Sequence, residues 1–532
     1  MRCDCSGWSE VRQGRRVGMN RFLMVLLLLS VALPGCATNP VTGKNDFSLV
    51  SEQQELAIGA QQYAPARQAQ GGDLVADPEL TAYVSQVGQR LAAVSDRKLP
   101  YEFKVLNNSV PNAWALPGGK ICVNRGLLTE LHNESELAAV LGHEIVHAAA
   151  RHGAQSMSKG MLLQTAVIGA AVATQGKDYA NIAQLGANVG AQLISQKYGR
   201  DAERESDHYG MTYMVRAGYD PQGAVDLQRT FVKLSEGRQQ DWLNGLFASH
   251  PPSPERVQNN IDMLATLPRG GEMGEARYRS RTAHLMRAKP AYDAYDKGRE
   301  ALAKGDATTA ARMARQAIAL EPKEGHFYGL MGDAEQKNGH LSSAVQQYTK
   351  AARLNPDFFY YPLQRGKANE ALHLDAAARA DFERSVALLP TADAYYSLGS
   401  LSRKAGRIDE AKTFYAKVAA SQGELGKQAY GDLVDLDLKD NPGKYIQLRA
   451  GRDAQGKIVA QLTNPTPRNI SGIVLLVQFH DAAGQAQQAQ REMSAVLAAE
   501  TQQLFDLDLT GLVVDAQLNT LQVGVLRAQV AR

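Results

Sequence analysis

Apolar residues follow several patterns along this chain of 532 residues, and each change of pattern predicts a domain boundary. Between about 51 and 268, helical spacing surrounds one strand-like block, Tyr101–Leu106, and a second block, Ala113–Val123, that contains a Pro-Gly-Gly turn. These elements predict a mainly helical α+β domain. The segment 269–274 is rich in glycine and lacks periodic apolar residues, so it predicts the end of that domain.

Small residues and prolines recur at intervals of 33 or 34 residues between 294 and 421. The recurring positions are Gly305, Gly339, His373 and Gly406, then Ala310, Ala344, Ala378 and Ala411, and finally Pro322, Pro356 and Pro390. This period resembles that of the tetratricopeptide repeat, in which each unit is a pair of helices. We therefore expect four helix pairs stacked into a short solenoid. An unrelated helical bundle is the alternative.

The last region, 442–532, contains short runs of aliphatic residues separated by glycine, asparagine, proline and aspartate, which predicts a small β-sandwich with a role in binding or packing. The chain as a whole is therefore predicted to be a multidomain α+β protein. The predicted segments are 1–35, 36–270, a linker at 271–293, 294–421, a linker at 422–441, and 442–532.

The first 35 residues have the order of a secretory signal peptide, with arginines before the apolar run Phe22–Leu33. That run of about a dozen residues is shorter than the roughly 20 that span a bilayer, which disfavours a permanent transmembrane anchor. The following Leu-Pro-Gly-Cys sequence resembles a bacterial lipobox, which implies that Cys36 is lipidated and that Ala37 directs the protein to the outer membrane. Cleavage without a lipid is the alternative, and Met19 is an alternative start.

Charge and cysteine content exclude two classes of protein. The chain has 58 basic and 55 acidic residues, and the excess lies in the signal region, so the remainder is neutral. Without a long Lys/Arg run, nucleic acid is not expected as a partner. After Cys36, only Cys122 remains, which excludes an internal disulfide and predicts a small buried side chain.

The strongest chemical pattern is His143-Glu144-Ile-Val-His147 within the apolar helical run Leu137–Ala150. Spacing of four residues places both imidazoles on one face of a helix, where they can bind one metal ion. Glu144 follows the first ligand directly and can reach a water molecule as a general base. Two helical histidines without a metal are the alternative.

A catalytic zinc ion needs a third protein ligand and an open position for water. The predicted helix 191–217 offers Glu203 and Asp207, again four residues apart, so that one carboxylate can bind the metal while the other accepts an imidazole N–H. Glu205 and Asp201 are the alternative third ligands.

These two helices, the segment Asn112–Gly119 and the Asn-Pro-Val-Thr-Gly sequence that starts at Asn39 together resemble the HtpX-like zinc metallopeptidases. Among them the chain resembles the BepA type, which also carries tetratricopeptide repeats. The resemblance covers about 36–268 and the repeats, but not the terminal sandwich. It implies a zincin-type metallopeptidase domain that binds one zinc ion.

The resemblance also implies a role for each site residue. The implied metal ligands are His143, His147, Glu203 and, as a removable fourth ligand, His250. The implied catalytic residues are Glu144 and Asp207, and the implied substrate-binding residues are Asn112 and Ala113, on a strand edge that pairs with the substrate backbone. His132, His152 and His208 are interpreted as ordinary helix or loop residues.

Together these features predict a zinc-dependent endopeptidase of the cell envelope, anchored by a lipid on Cys36 at the periplasmic side of the outer membrane. Its expected substrates are unfolded or misassembled envelope proteins, and its repeat domain is expected to bind a protein partner. The alternative is a chaperone or scaffold that acts mainly through the repeats, with conditional proteolysis. The apolar stretch Met161–Thr174 is too short to span a bilayer and is predicted to be a helix that covers the active-site cleft or touches the membrane surface.

Overall fold

The computed structural model describes residues 36–161, 198–237, 250–421, 423–481, 483–509 and 519–531. The signal region and all but the first residue of the Met161–Thr174 stretch lie outside the described residues. The chain divides into two compact units, Met1–Tyr292 and Asp293–Arg532. Within the described residues, no helix is long and apolar enough to cross a membrane.

The first unit packs helices around a small sheet. Its described strands are β1 (Cys36–Thr38), β2 (Asn45–Phe47), β3 (Glu102–Leu106), β4 (Ala113–Leu116) and β5 (Lys120–Asn124). Its helices are α1 (Glu52–Ala69), α2 (Pro78–Ala92), α3 (Arg125–Leu128), α4 (Glu134–Ala149), α5 (Arg200–Arg216), α6 (Gln222–Gly237), α7 (Pro254–Leu264) and α8 (Glu275–Arg281), with α9 (Ala283–Ala303) at the boundary of the units. β5 lies between β3, to which it is parallel, and β4, to which it is antiparallel.

The predicted turn between β4 and β5 is confirmed. Gly118 and Gly119 both have φ +79°, a left-handed conformation that side chains with a Cβ rarely adopt. A Cβ on Gly119 would lie 2.7 Å from the ring of Tyr101, so the turn also needs the missing side chain for space.

The helix that contains the His-Glu-x-x-His sequence, α4, begins three residues before its predicted start. The Asn133 side chain accepts a hydrogen bond from the backbone N–H of Glu136 and caps the helix, and Glu134 and Glu136 fill the first turn. These residues are polar, so the apolar run alone does not reveal them. Every residue of α4 is buried, which explains why the helix lacks a polar face.

Close contact between α4 and α5 depends on two glycines. A Cβ on Gly142 would lie 3.1 Å from the carbonyl oxygen of Gly210, and a Cβ on Gly210 would lie 3.1 Å from the backbone nitrogen of His143. Because neither residue has a side chain, the two backbones approach beside His143. The carboxylates one and two turns earlier on α5 are thereby brought to the histidines of α4.

The two segments predicted as linkers both contain helices. Residues 271–293 include α8 and half of α9, where the buried Tyr278 donates a hydrogen bond to the backbone carbonyl of Leu128 at 2.6 Å. Residues 422–441 include the helix Glu424–Asp437, whose Ala429 and Leu433 are buried. Their buried side chains therefore make both segments part of the folded units.

The second unit begins with the paired helices that the repeat predicts. After α9, they are α10 (Ala307–Leu320), α11 (Gly325–Lys337), α12 (Leu341–Leu354), α13 (Tyr360–Ala371), α14 (Asp375–Leu388), α15 (Ala392–Lys404) and α16 (Ile408–Ala419), followed by α17 (Glu424–Asp437) and α18 (Pro442–Tyr445). In successive pairs a glycine faces an aromatic ring of the next helix at a distance that excludes a Cβ. These contacts are Gly332 with Tyr348, Gly366 with Phe382, and Gly399 with Tyr415.

The repeated turn residues have left-handed backbones, which explains their period. Gly305, Gly339 and Gly406 have φ +85°, +82° and +73°, and His373 has φ +59° in the same position. Such a residue ends the first helix of each pair.

The end of the chain forms two antiparallel three-stranded sheets. Their strands are β6 (Gln447–Arg452), β7 (Ile458–Asn464), β8 (Ile470–His480), β9 (Ala486–Met493), β10 (Thr501–Asp506) and β11 (Gln522–Val530), in the orders β10-β7-β6 and β11-β8-β9. Residues of β7 and β8, such as Leu462 and Leu475, belong to one buried apolar cluster. The two sheets thus share a core, as a sandwich requires.

Candidate metal centre

Four potential metal-binding side chains from three segments of the first unit lie close together. His143 and His147 lie on α4, Glu203 lies on α5, and His250 precedes α7. Each offers one ligand atom, and these atoms all lie within 4.8 Å of one another. The four residues are 2–9 % exposed, so the cluster is buried.

The spacing of these atoms fits a tetrahedral metal ion. Bonds of about 2.0–2.1 Å place the ligand atoms of tetrahedral zinc about 3.3 Å apart. The Nε2 atom of His143 lies 3.0 Å from Nε2 of His147 and 3.6 Å from Oε2 of Glu203, and Nε2 of His147 lies 3.4 Å from Oε1 of Glu203. The Nδ1 atom of His250 lies 3.3 Å from His143 Nε2 and 2.9 Å from Glu203 Oε1.

The pKa shifts of His147 and Glu203 suit metal binding, whereas Glu203 and Glu144 outweigh burial at His250 and raise its pKa, so a metal ion has to displace the proton of that ring. Burial lowers the pKa of His147 well below its usual value, which keeps a nitrogen lone pair available as a ligand. Burial would raise the pKa of Glu203, but the adjacent His250, His147 and His143 outweigh it and lower that pKa, so the carboxylate stays ionised. Neutral imidazole and an ionised carboxylate are the forms that bind zinc.

Glu144 lies beside the cluster as a buried carboxyl group without a full set of partners. Its Oε2 has no hydrogen-bond partner among the described residues, and its Oε1 lies 3.7 Å from Nε2 of His250. Burial raises the pKa of the Glu144 carboxyl group. A buried carboxyl oxygen without a partner is costly unless a ligand or water completes it, so its position beside the histidines indicates a reacting group.

Comparison with known proteins agrees with this geometry. The model of peptidase family M48 matches residues 78–262, and the tetratricopeptide repeat model matches residues 325–358 and 392–423. The metalloprotease YcaL of Escherichia coli K12 is 34% identical over 189 residues, which are 34% of this chain and 72% of YcaL. This chain belongs to peptidase family M48.

Other relatives match one half to three quarters of the chain. The beta-barrel assembly-enhancing protease of Escherichia coli K12 is 27% identical over 417 residues, covering 75% of this chain and 81% of that protein. The protein of the same name from Yersinia pestis is 30% identical over 271 residues, covering 50% and 51%. The match thus spans about half the length of the Yersinia pestis relative, and likewise of a Vibrio cholerae relative.

In this M48 peptidase, Asp207 contacts the candidate ligand His143 rather than the centre of the cluster. Its Oδ1 lies 3.0 Å from Nδ1 of His143, which places the other ring nitrogen towards the metal position. Arg256 donates to Asp207 with Nε at 2.8 Å and Nη2 at 2.7 Å, and its Nη1 lies 3.1 Å from Oε2 of Glu203. Burial opposes charge on Asp207, but Arg256 and His143 lower the pKa of this carboxyl group.

Sequence reasoning did not identify Arg256, because it lies 49 residues from Asp207 and only folding brings the two together. The only available signal was its place in the His-Pro-Pro-Ser-Pro-Glu-Arg segment that starts at His250. Ser253 caps α7 and Pro254 begins it, which sets the position of Arg256 on the first turn.

The two alternative third ligands, Glu205 and Asp201, lie outside the cluster of four candidate ligands. The side chain of Asp201 is fully exposed, and Glu205 accepts a hydrogen bond from Asn39 at 2.9 Å. Two other residues that the sequence did not indicate lie against the ligands: the ring of Tyr198 stacks on His147 with centroids 4.1 Å apart, and His152 contacts the same histidine.

The residues predicted to bind substrate lie at the edge of the sheet. Ala113 begins β4, which is an outer strand among the described residues, and Asn112 precedes it. Asn112 is buried, and its Oδ1 has no hydrogen-bond partner among the described residues. Pairing of a substrate with this strand stays a prediction, as does lipidation of Cys36 on β1.

Proposed function

We propose that this chain is a zinc-dependent endopeptidase. The observation that carries the proposal is the position of Glu144, a buried carboxyl group beside four side chains whose ligand atoms lie within 4.8 Å of one another. His143, His147 and Glu203 would hold the zinc ion, and a fourth position has to be open to water for catalysis.

The catalytic step follows from the groups around that position. When bound, zinc supplies Lewis acidity that lowers the pKa of water and polarises a peptide carbonyl group. Glu144 accepts the proton of the attacking water at its carboxylate and then donates this proton to the leaving amine. Asp207 acts through His143, because it orients the ring without touching the reacting atoms.

His250 would regulate the enzyme as a removable fourth ligand. Its Nδ1 lies as close to His143 and Glu203 as the ligand atoms lie to each other, so with a metal ion bound it would occupy the position that water needs. Three prolines at 251, 252 and 254 restrict the backbone of this segment, which lowers the entropic cost of holding the ring in place. Substrate or partner binding would move the segment and release the position.

The cellular role proposed here is quality control of the envelope. Two relatives, 27% and 30% identical, are named beta-barrel assembly-enhancing proteases, and tetratricopeptide repeats commonly bind proteins. We place the protein on the periplasmic side of the outer membrane, held by a lipid on Cys36, with misassembled envelope proteins as substrates. The repeats would bind a protein partner or an extended substrate segment.

Cleavage of an unfolded outer-membrane protein by the purified chain tests this function. Wild-type protein should produce fragments, and Glu144→Gln should not, because an amide of the same size cannot accept the water proton. Equal zinc content in both proteins is the control for an intact centre. Cleavage by Glu144→Gln at the wild-type rate would contradict the proposal, and zinc-loaded wild-type protein that only prevents aggregation would favour the chaperone alternative.

A further inference from the structure

The two histidines of α4 are supported by different partners at the ring nitrogen that faces away from the cluster. Nδ1 of His143 contacts Asp207, whereas Nδ1 of His147 lies 2.9 Å from Nδ1 of His152. His152 is 3% exposed and lies three residues after the end of α4. It was interpreted from sequence as an ordinary helix or loop residue, whereas the structure places it against the candidate ligand His147.

Beyond His152 the series of contacts continues through a close contact with the Glu205 carboxylate and a hydrogen bond from Asn39. Nε2 of His152 lies 3.3 Å from Oε1 of Glu205, and the same oxygen accepts a hydrogen bond from Nδ2 of Asn39 at 2.9 Å. Asn39 is 2% exposed. A connected path therefore runs from His147 through two side chains to the start of the described chain.

With both imidazoles neutral, as metal binding through Nε2 of His147 requires, each contact has one possible direction. An ionised carboxylate only accepts, so Nε2 of His152 is the donor to Glu205. In a neutral imidazole the other nitrogen is then an acceptor, so Nδ1 of His152 accepts from Nδ1–H of His147. This leaves the lone pair of His147 on Nε2, the atom that lies 3.0 Å from His143 and 3.4 Å from Glu203.

Asn39, the last residue of this series of contacts, lies in the turn of the hairpin formed by β1 and β2. Asn39 lies between β1 and β2, and its Oδ1 accepts hydrogen bonds from the backbone N–H groups of Val41 and Thr42 at 2.9 and 3.3 Å. Its backbone N–H also donates to the carbonyl of Lys44 at 2.7 Å. The amide that donates to Glu205 is thus fixed by the turn, and the hairpin contributes directly to the surroundings of the metal centre.

We propose that His152 and Glu205 are positioning residues that hold His147 in its metal-binding tautomer, and that Asn39 ties them to the N-terminal hairpin. The inference rests on the proposed metal centre but not on peptide cleavage. It assigns to Glu205 a role through His147 in place of direct metal binding.

Zinc affinity of the full chain, measured by competition with a chromophoric chelator, tests the proposal. His152→Ala and Glu205→Ala should weaken binding about 10- to 100-fold, as loss of a hydrogen-bond partner behind a metal ligand does. His208→Ala and Asp201→Ala, which remove exposed side chains of the same types on α5, should leave the affinity unchanged. His152→Gln should recover part of the loss, because its amide offers both an acceptor and a donor.

Thermal unfolding of the metal-free proteins separates positioning from general stability. Metal-free His152→Ala should unfold within a few degrees of the metal-free wild type while its zinc affinity falls. Unchanged zinc affinity in both His152→Ala and Glu205→Ala would overturn the proposal, as would weakening that merely follows a large loss of metal-free stability. Wild-type protein that binds zinc but cleaves nothing would refute the peptidase function alone, since the affinity comparison would still decide the positioning role.

Discussion

Two buried carboxylates, one in each unit, are satisfied in opposite ways. Asp381 on α14 is 5% exposed, accepts hydrogen bonds from Arg365 and receives another from Asn369 at 2.9 Å. Glu144 on α4 is 2% exposed, yet its Oε2 has no partner among the described residues. Side chains of the second unit donate hydrogen bonds to Asp381. In contrast, Glu144 has a carboxylate oxygen that a bound water or ligand could contact.

The number of hydrogen-bond partners of a buried carboxylate helps to distinguish a structural group from a reactive one. Desolvation disfavours a buried carboxylate that lacks partners, so a fold keeps one only where another interaction or a reaction requires it. The repeat unit uses its buried charge to fix the packing of helices. The peptidase unit leaves part of its polar interior dependent on a metal ion and water.

The largest expected effect is the loss of stability on metal removal. Zinc at about 1,000 times its dissociation constant stabilises the folded state by about 4 kcal/mol, so chelation should destabilise the first unit by that order. Chelation should not change the stability of the repeats. Hydrogen exchange read by mass spectrometry measures the loss of protection in each unit separately. An equal loss of protection in residues 293–421 would show that the two units do not differ in this way.

The matching change in the second unit is Asp381→Ala. Removing one partner of a largely buried ion pair leaves Arg365 without its carboxylate, which should destabilise the repeats by about 3 kcal/mol. Zinc content should not change. Chemical denaturation gives the stability, and a variant as stable as the wild type would show that Asp381 is not a structural group.

A smaller effect is expected at the contact between His250 and the metal centre. His250→Ala should raise basal cleavage about tenfold, which corresponds to about 1.4 kcal/mol, because the position for water becomes free. Initial rates with an unfolded substrate provide the measurement. Lower cleavage with zinc still bound would show that His250 assists catalysis.

The sequence predicted those parts of the molecule that depend on short spacings. The pair His143 and His147 followed from four-residue spacing, and the repeat followed from glycines that need left-handed backbones. The contacts of Arg256 with Asp207 and of His152 with Glu205 join residues 49 and 53 positions apart, and no local pattern encodes them. The first contact joins α7 to α5, and the second joins α5 to the segment after α4. The backbones of α4 and α5 approach closely at Gly142 and Gly210.

The smallest predicted effect is expected at His373, and it tests whether the repeated turn position requires a left-handed backbone. His373 has φ +59° at a position where the other repeats have glycine, and it is exposed. His373→Gly should stabilise the repeats by about 0.5–1 kcal/mol, because relief of the left-handed strain exceeds the added entropy of the unfolded chain. Urea denaturation measures the difference, and a loss of stability would contradict the assignment of strain to this turn.

The metal content of Glu203→Ala tests the central claim most directly. Wild-type protein and Asp201→Ala should each contain one zinc ion per chain by elemental analysis, whereas Glu203→Ala should contain far less, because it removes the anionic ligand and leaves His143, His147 and the removable ligand His250. Hydrogen exchange of α4 in metal-free protein provides the control for folding. A Glu203→Ala protein that keeps one zinc ion per chain would contradict the metal centre described here.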